Sequence, residues 1–425
     1  MTGRATPLAL SVLALAAWAA SLAVLLARAE LLLVAMPGVL VLAALARPAS
    51  PPACEISHQV SADRLFEGGA LTVTVTVRAR AAVPLVELVG PRPAGTELRA
   101  GRHRAVMTLR AGQSAEWRYE LVFPRRGVYA VGALAVRLRD RLGLRAWESR
   151  RVAPLAVRVF PATIPLRTLP RPAHAQASVG DHLSHALGEG IEPGDVRQFA
   201  PGDRIRHVNW RASLRLGRLY VTQRHRERNA DVVLMLDTLA DVGAPPHTAL
   251  DLGVRAAASL AAAYLARKDR VGLITYGGVM SWVRPGSGAV QYERLADGLL
   301  RAEVVFTYVA KDLARVPPRV LSPQALVIAV TPLLDARFAR AVLDLAARGF
   351  DLVVLVVSPV AITRALVDGA RLDTLASRLW ALERRTELAA LRRQGLVVID
   401  WQPPEPLEAA LVRARRRRLR LASAG

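Results

Sequence analysis

Two uncharged apolar runs near the amino terminus constrain this chain more than any other feature. Pro7 to Ala27 carries no charged residue, about 21 residues where roughly 20 suffice to cross a hydrocarbon core. Arg28-Ala29-Glu30 interrupts the pattern, and Leu31 to Ala46 forms a second run that contains Pro37-Gly38. At about 16 residues it stands at the short end for a span. Arg47 closes it, and Pro48, Pro51 and Pro52 make a stiff exit.

Two such runs across a short break predict a transmembrane helical hairpin over residues 1–50, in contact with membrane lipid. A cleaved signal peptide is one alternative, because the Ala-rich sequence near Trp18 could satisfy a peptidase. Its apolar region is usually shorter, however, and no second run follows it. A lipid-modified Cys54 is another, although Pro51-Pro52-Ala53 is a poor acylation signal. A hairpin puts everything after Arg47 on the side of Met1. Arg4 and Arg47 outweigh Arg28 in the hinge, which favours a cytoplasmic position for the remainder. A single cysteine excludes a disulfide framework and points the same way. The expected location is the inner (plasma) membrane, multi-pass, with the soluble domains in the cytoplasm.

The formal net charge of +23 comes almost wholly from arginine, since Lys268 and Lys311 are the only lysines. The arginines are spread along the chain and aromatic residues make up only 5%. A nucleic-acid interface concentrates its charge and interleaves stacking residues, so no nucleic-acid partner is expected. The one dense basic run, Arg413 to Arg420, leaves open a binder of anionic surfaces, lipid or nucleic acid. A hydrophobic content of 52% over 425 residues excludes a disordered chain and supplies cores for several domains.

Residues 51–161 have a period near two. Leu71 to Val77 and Trp117 to Phe123 alternate, with turn signals at Glu67-Gly68-Gly69, Pro93-Ala94-Gly95, Ala111-Gly112, Arg126-Gly127 and Leu142-Gly143. This pattern predicts an all-β sandwich of immunoglobulin-like type. Residues 162–230 read as a linker and a polar segment; His174, His182 and His185 lie there without metal-ligand spacing. Residues 231–425 alternate apolar strands (Val232–Leu236, Val271–Tyr276, one near Trp282, Ala325–Val330, Leu352–Val357, Leu396–Ile399) with helices, one from about Thr248 to Arg267 and one capped by Asp335. Strands buried on both faces predict a doubly wound parallel sheet, which binds at the carboxyl ends of its strands. Those ends present Asp237, Asp241, Thr331 and Asp335.

The usual catalytic devices are missing from the sequence. It has no phosphate-binding glycine loop and no Gly-x-Ser-x-Gly elbow, and no motif marks Cys54 as a nucleophile. No enzyme activity and no catalytic residue is expected.

One polar segment is specific. Asp195, Arg197, Phe199, Pro201, Gly202, Asp203, Arg206, Trp210, Arg211, Ala212 and Ser213, followed by Glu227, form a run of unusual composition. It resembles the signature of the domain-of-unknown-function fifty-eight family, a von Willebrand factor A-like group associated with MoxR-type ATPases, with Asn209 in place of the usual aspartate. The likeness extends to the hairpin, to the sandwich with Arg125-Arg126-Gly127-Val128-Tyr129, and to the alternating domain. Arg197, Arg206 and Arg211 can pair with Asp195, Asp203 and Glu227 as a structural clamp, with Trp210 as its apolar anchor.

The resemblance also implies an adhesion-type metal site, Asp-x-Ser-x-Ser after the first strand, holding a hard cation such as Mg²⁺. Here the segment is Asp237-Thr238-Leu239-Ala240-Asp241. Asp237 and Asp241 are the candidate ligands of a degenerate site. The resemblance therefore implies a membrane-anchored, non-enzymatic scaffold that works with a MoxR-type AAA+ ATPase in a chaperone-like or envelope-related process. The alternative is a metal-dependent ligand-binding or hydrolytic protein using Asp237 and Asp241.

Overall fold

The computed structural model describes residues 3–170, 192–200, 205, 208–225, 231–309, 311–366 and 371–422. Among the sequence expectations, His174, His182, His185, Pro201, Gly202, Asp203, Arg206 and Glu227 lie outside the described residues, as does the side chain of Asp195. The chain divides into two units, Met1–Ala162 and Thr163–Gly425.

The first unit starts with two apolar helices, Pro7–Leu25 and Leu32–Ala46. The spans Pro7–Leu25 and Ala29–Ala46, the second taking in the turn that precedes its helix, are long and apolar enough to cross a membrane, and only 17% and 11% of them is buried by protein. A third helix, Ala249–Ala266, passes the same test of composition, but 67% of it is buried. It is a core helix of the second unit, and its apolar residues face a sheet. Burial separates what composition cannot.

Both ends of the helical pair are fastened to the β-rich part of the unit. Arg4–Ala5 pairs antiparallel with Arg145–Ala146. The Thr6 hydroxyl donates to Gly143 O at 2.6 Å, and Thr6 N donates to Leu144 O at 2.9 Å. The Arg145 guanidinium donates to the carbonyls of Ala44, at 3.1 Å, and Leu45. Those carbonyls belong to the last turn of the second helix, where no intrahelical donor is left. The polypeptide therefore enters and leaves the pair on one side.

Among the described residues, Arg4–Ala5 and strands of residues 54–152 build a four-stranded and a five-stranded antiparallel sheet, with a small three-stranded sheet beside them. Alternation works as expected: Leu71, Val73, Val75 and Val77 point into the shared core and Thr72, Thr74 and Thr76 do not. Tyr129 packs edge-on against Phe123 and donates from its hydroxyl to Arg125 O at 2.8 Å, pinning the Arg125–Gly127 corner. Cys54 is buried in this core, which leaves no exposed thiol for acylation.

The second unit carries a six-stranded sheet. Its order is Ser281–Gly286, Arg270–Gly277, Asp231–Thr238, Leu326–Thr331, Asp351–Val357, Val397–Trp401. In chain order this is third, second, first, fourth, fifth, sixth. Five strands are parallel; the edge strand Ser281–Gly286 runs antiparallel, so the sheet is mixed rather than wholly parallel. A short turn at Gly277–Met280 leaves no room for the crossover that a parallel return requires. The helix Ala249–Ala266 covers one face with Leu234 and Leu236, and Ala336–Ala347 covers the other with Val233 and Met235. Residues 164–170, inside the stretch read as linker, are docked on this unit. Ile164 N donates to Ser259 Oγ at 2.9 Å, Arg167 N and Thr168 N donate to the Glu408 carboxylate at 3.0 Å, and Leu169 is buried in the core.

Candidate functional site at the carboxyl end of the sheet

The strands Asp231–Thr238 and Leu326–Thr331 are neighbours, yet the helices that follow them pack on opposite faces. Their chains diverge there, at the switch point where sheets of this kind form ligand crevices. Asp237 and Thr331 stand there, side by side. The Thr331 hydroxyl donates to Asp237 Oδ2 at 2.5 Å, and Leu239 N donates to Oδ1 at 2.9 Å. Asp237 is 2% exposed. Burial pushes its carboxyl up to about 7; the bonds from Thr331 and Leu239 oppose that, the nearby Asp335 adds to it, and Arg337 subtracts.

The neighbouring acids serve the backbone. Asp241 Oδ1 accepts from Val242 N and Leu250 N, each at 2.9 Å, tying the loop to the first turn of the Ala249–Ala266 helix. Thr248 caps that helix by accepting from Asp251 N at 3.1 Å. Asp335 caps Ala336–Ala347 and holds Arg337 through Nε, at 2.9 Å to Oδ1, and Nη2, at 2.6 Å to Oδ2. The Arg337 pair keeps the Asp335 carboxyl below its ordinary range. Arg337 Nη1 then reaches Thr307 O at 2.6 Å, fixing a loop that crosses this end of the sheet.

Arg384, on the helix Arg371–Arg393, completes the floor. It is buried and donates to Pro332 O and Leu333 O, each at 2.6 Å, and to Glu387. Leu333 sits at φ 52°, a left-handed conformation unusual for leucine. Its N–H donates to Thr331 Oγ1 at 2.7 Å, so the strained turn is clamped from both sides. Sequence reasoning singled out Asp237, Asp241, Thr331 and Asp335 but missed Arg384 and Arg337. Both lie among many arginines, and no periodic signal separates a buried guanidinium from a solvated one.

Beyond the floor, the rim is apolar. Phe306 and Tyr308 stand 74% and 87% exposed with their rings edge to face at 4.9 Å, and Val309 is exposed beside them. Tyr276, whose hydroxyl donates to Lys311 O at 2.7 Å, lines a cleft of about 210 Å³ next to this loop, together with Arg337 and Arg340.

The candidate ligands of the degenerate metal site are Asp237 and Asp241, with Leu239 and Asp241 in place of the motif's two serines. The Asp237 oxygens are engaged by Thr331 and Leu239, and Asp241 Oδ1 is held by two amides. Leu239 contributes no side-chain oxygen. Among the described residues, no group of three or more His, Cys, Asp or Glu gathers. The arrangement is short of the oxygen set a hard cation takes.

The acids of the expected arginine clamp, Asp203, Glu227 and the Asp195 side chain, lie outside the described residues with Arg206, and the described part of the signature is held by short side chains. Glu192–Gln198 pairs with Tyr220–His225, and the helix Trp210–Leu216 lies between them in sequence. Asn209 caps that helix, accepting from Ala212 N at 3.1 Å, a role aspartate fills equally well. Ser213 is buried; its hydroxyl donates to Asn209 O at 2.8 Å and accepts from Tyr220 N at 2.8 Å. Trp210 is 58% exposed, so it is not a core anchor. Arg211 is exposed and makes no ion pair among the described residues, while Arg197 Nη1 donates to Gln198 O at 3.0 Å. Phe199 N donates to Leu219 O at 2.8 Å.

Residues 195–362 match the family model described as protein of unknown function DUF58. That segment, about two fifths of the chain, is similar to the DUF58 family. The matched segment starts at Asp195 in the signature and includes Asp237 and Thr331, whereas Arg384 lies beyond it. Uncharacterized proteins of Mycobacterium tuberculosis and Mycobacterium bovis are each 34% identical over 112 residues, 26% of this chain and 35% of theirs. The chain thus spans about a third of the length of the curated relatives it matches. Among solved structures, a cupredoxin domain from Nitrosocaldus yellowstonii is 12% identical with a TM-score of 0.19, covering 26% of this chain and 90% of that one. A CARDB domain from Pyrococcus furiosus is 10% identical with a TM-score of 0.19, covering 26% and 89%. At these scores the likeness carries no argument, and the fold rests on the chain's own strand pairing.

Proposed function

We propose that this protein is a membrane-anchored, non-enzymatic scaffold whose α/β domain presents the carboxyl end of its sheet to a protein partner. The apolar hairpin would hold it in the inner membrane, with both soluble units in the cytoplasm. The strand order with one antiparallel edge, and the acid–hydroxyl pair at its switch point, support a von Willebrand factor A-like reading of the second unit. The Tyr129 corner supports an immunoglobulin-like reading of the first. By the family resemblance, the partner is a MoxR-type AAA+ ATPase.

The observation that carries this reading is the contrast between floor and rim. On the floor, Asp237, Asp241, Thr331, Asp335 and Arg384 spend their hydrogen bonds on loop backbone and on each other. On the rim, Phe306 and Tyr308 are exposed on a loop whose carbonyl is pinned by Arg337. A rigid loop with exposed aromatics loses little entropy on docking, which is how interface anchors act.

The test is co-purification of the full chain with a MoxR-type ATPase from detergent-solubilised membranes. Replacing Phe306 and Tyr308 by Ala should lower recovery of the partner about tenfold or more, with the chain still folded. Equal recovery would remove the rim from the interface, and absence of the ATPase from the wild-type complex would remove the partner. One-to-one Mg²⁺ binding lost in Asp237→Asn would favour the cation-dependent reading instead.

A further inference from the structure

A cavity of about 370 Å³ lies where the first apolar helix leaves the sandwich. Its walls include Arg4, Thr6 and Pro7 from the entry segment and Arg137, Arg139 and Glu148 from the outer face of the five-stranded sheet. The three arginines outnumber the one acid. Arg137 is committed to Glu148, with Nε 2.8 Å from Oε1. The other two are not. Arg4 makes no ion pair among the described residues, and Arg139 has only a 3.7 Å contact with Glu87, which Arg104 and Arg137 share. Arg139 Nε is shielded from solvent and has no acceptor among the described residues.

The helix sets the depth of this cavity. Pro7–Leu25 has 19 residues, so it is about 28 Å long and matches a hydrocarbon core of roughly 30 Å. If it spans, Pro7 stands at the hydrocarbon boundary and the Arg4–Thr6 segment lies in the headgroup layer, where lipid phosphates are. Thr6 is bonded to Gly143 O and Leu144 O, and Arg4–Ala5 to the Arg145–Ala146 strand. The cavity is therefore held at that depth by the fold.

We propose that this cavity binds the phosphate of an anionic membrane lipid, with Arg4 and Arg139 as its ligands and the Arg137–Glu148 pair as its side wall. Planar guanidinium groups suit phosphate oxygens. The lining has no aromatic ring to receive a quaternary ammonium, so the site selects against choline lipids. The proposal rests on the membrane-anchored reading of the hairpin.

The experiment uses the full chain, purified in nonionic detergent and offered phosphatidylglycerol or phosphatidylcholine, with retained lipid counted by native mass spectrometry. One phosphatidylglycerol per chain should be retained at least about tenfold over phosphatidylcholine. Arg4→Gln with Arg139→Gln should abolish the preference, and Arg294→Gln, an exposed charge removed from the other unit, should leave it intact. Should the double variant misfold, Arg4→Gln alone carries the test, because Arg4 is exposed and unpaired among the described residues. Equal retention of both lipids, or a preference that survives Arg4→Gln, overturns the proposal. So does displacement of the lipid by millimolar inorganic phosphate, which would mark a site for the free anion. Extraction of the chain from membranes by alkaline carbonate would instead refute the anchor, a separate failure from loss of lipid preference.

Discussion

Asp237 makes the stability of the second unit depend on pH in a direction opposite to that of most carboxylates. Its ordinary value is 3.8 and burial raises it to about 7. Between those values the unfolded chain gives up a proton that the folded chain keeps, so stability falls as pH rises and levels off above about 7. The gap of about 3 units, at 1.36 kcal/mol each, is worth about 4 kcal/mol, of which roughly 2 kcal/mol is lost between pH 5 and 7. Asp237→Asn copies the protonated acid: its amide can donate to Thr331 Oγ1 and its carbonyl can accept from Leu239 N. The variant should match wild type near pH 4 and exceed it by up to about 4 kcal/mol at pH 8. Amide exchange of the Asp231–Thr238 strand in the full chain, corrected for intrinsic rates, reads this as an opening free energy. That strand is buried at the centre of the sheet and opens with its unit. If wild type and Asp237→Asn run parallel from pH 5 to 8, the carboxyl titrates normally and the desolvation argument fails.

Three further outcomes are expected. Ser213→Ala should cost about 1–3 kcal/mol by stranding Tyr220 N, whereas Trp210→Ala should stay within about 0.5 kcal/mol because the ring is exposed; urea titration orders the two. Arg384→Leu should destabilise the unit by about 3 kcal/mol or more, since two carbonyls lose charged donors, and Arg384→Lys should restore less than half, lacking the fork. Lys268→Gly should stabilise by about 0.5–1 kcal/mol, because Lys268 ends the Ala249–Ala266 helix at φ 65° with an exposed side chain; an unchanged or lower melting temperature would contradict this.

Local pattern carried much of this architecture, and long-range geometry carried the site. The apolar runs at Pro7 and Leu31, the two-residue alternation of Leu71–Val77 and the buried run Val232–Leu236 each state their own environment, because side-chain direction follows from period alone. Helix starts at Thr248 and Asp335 were legible for the same reason: a cap bonds to backbone two or three residues away. What sequence could not contain is distance across the chain. Thr331 meets Asp237 although 94 positions separate them, and Arg384 reaches Leu333 across 51. Which arginine is buried, that Trp210 is exposed, and that the edge strand at Ser281 turns back antiparallel were all decided by packing. Composition could not even separate the Ala249–Ala266 helix from a membrane span. A sheet on one side of it decides that, by giving its apolar residues something other than lipid to face.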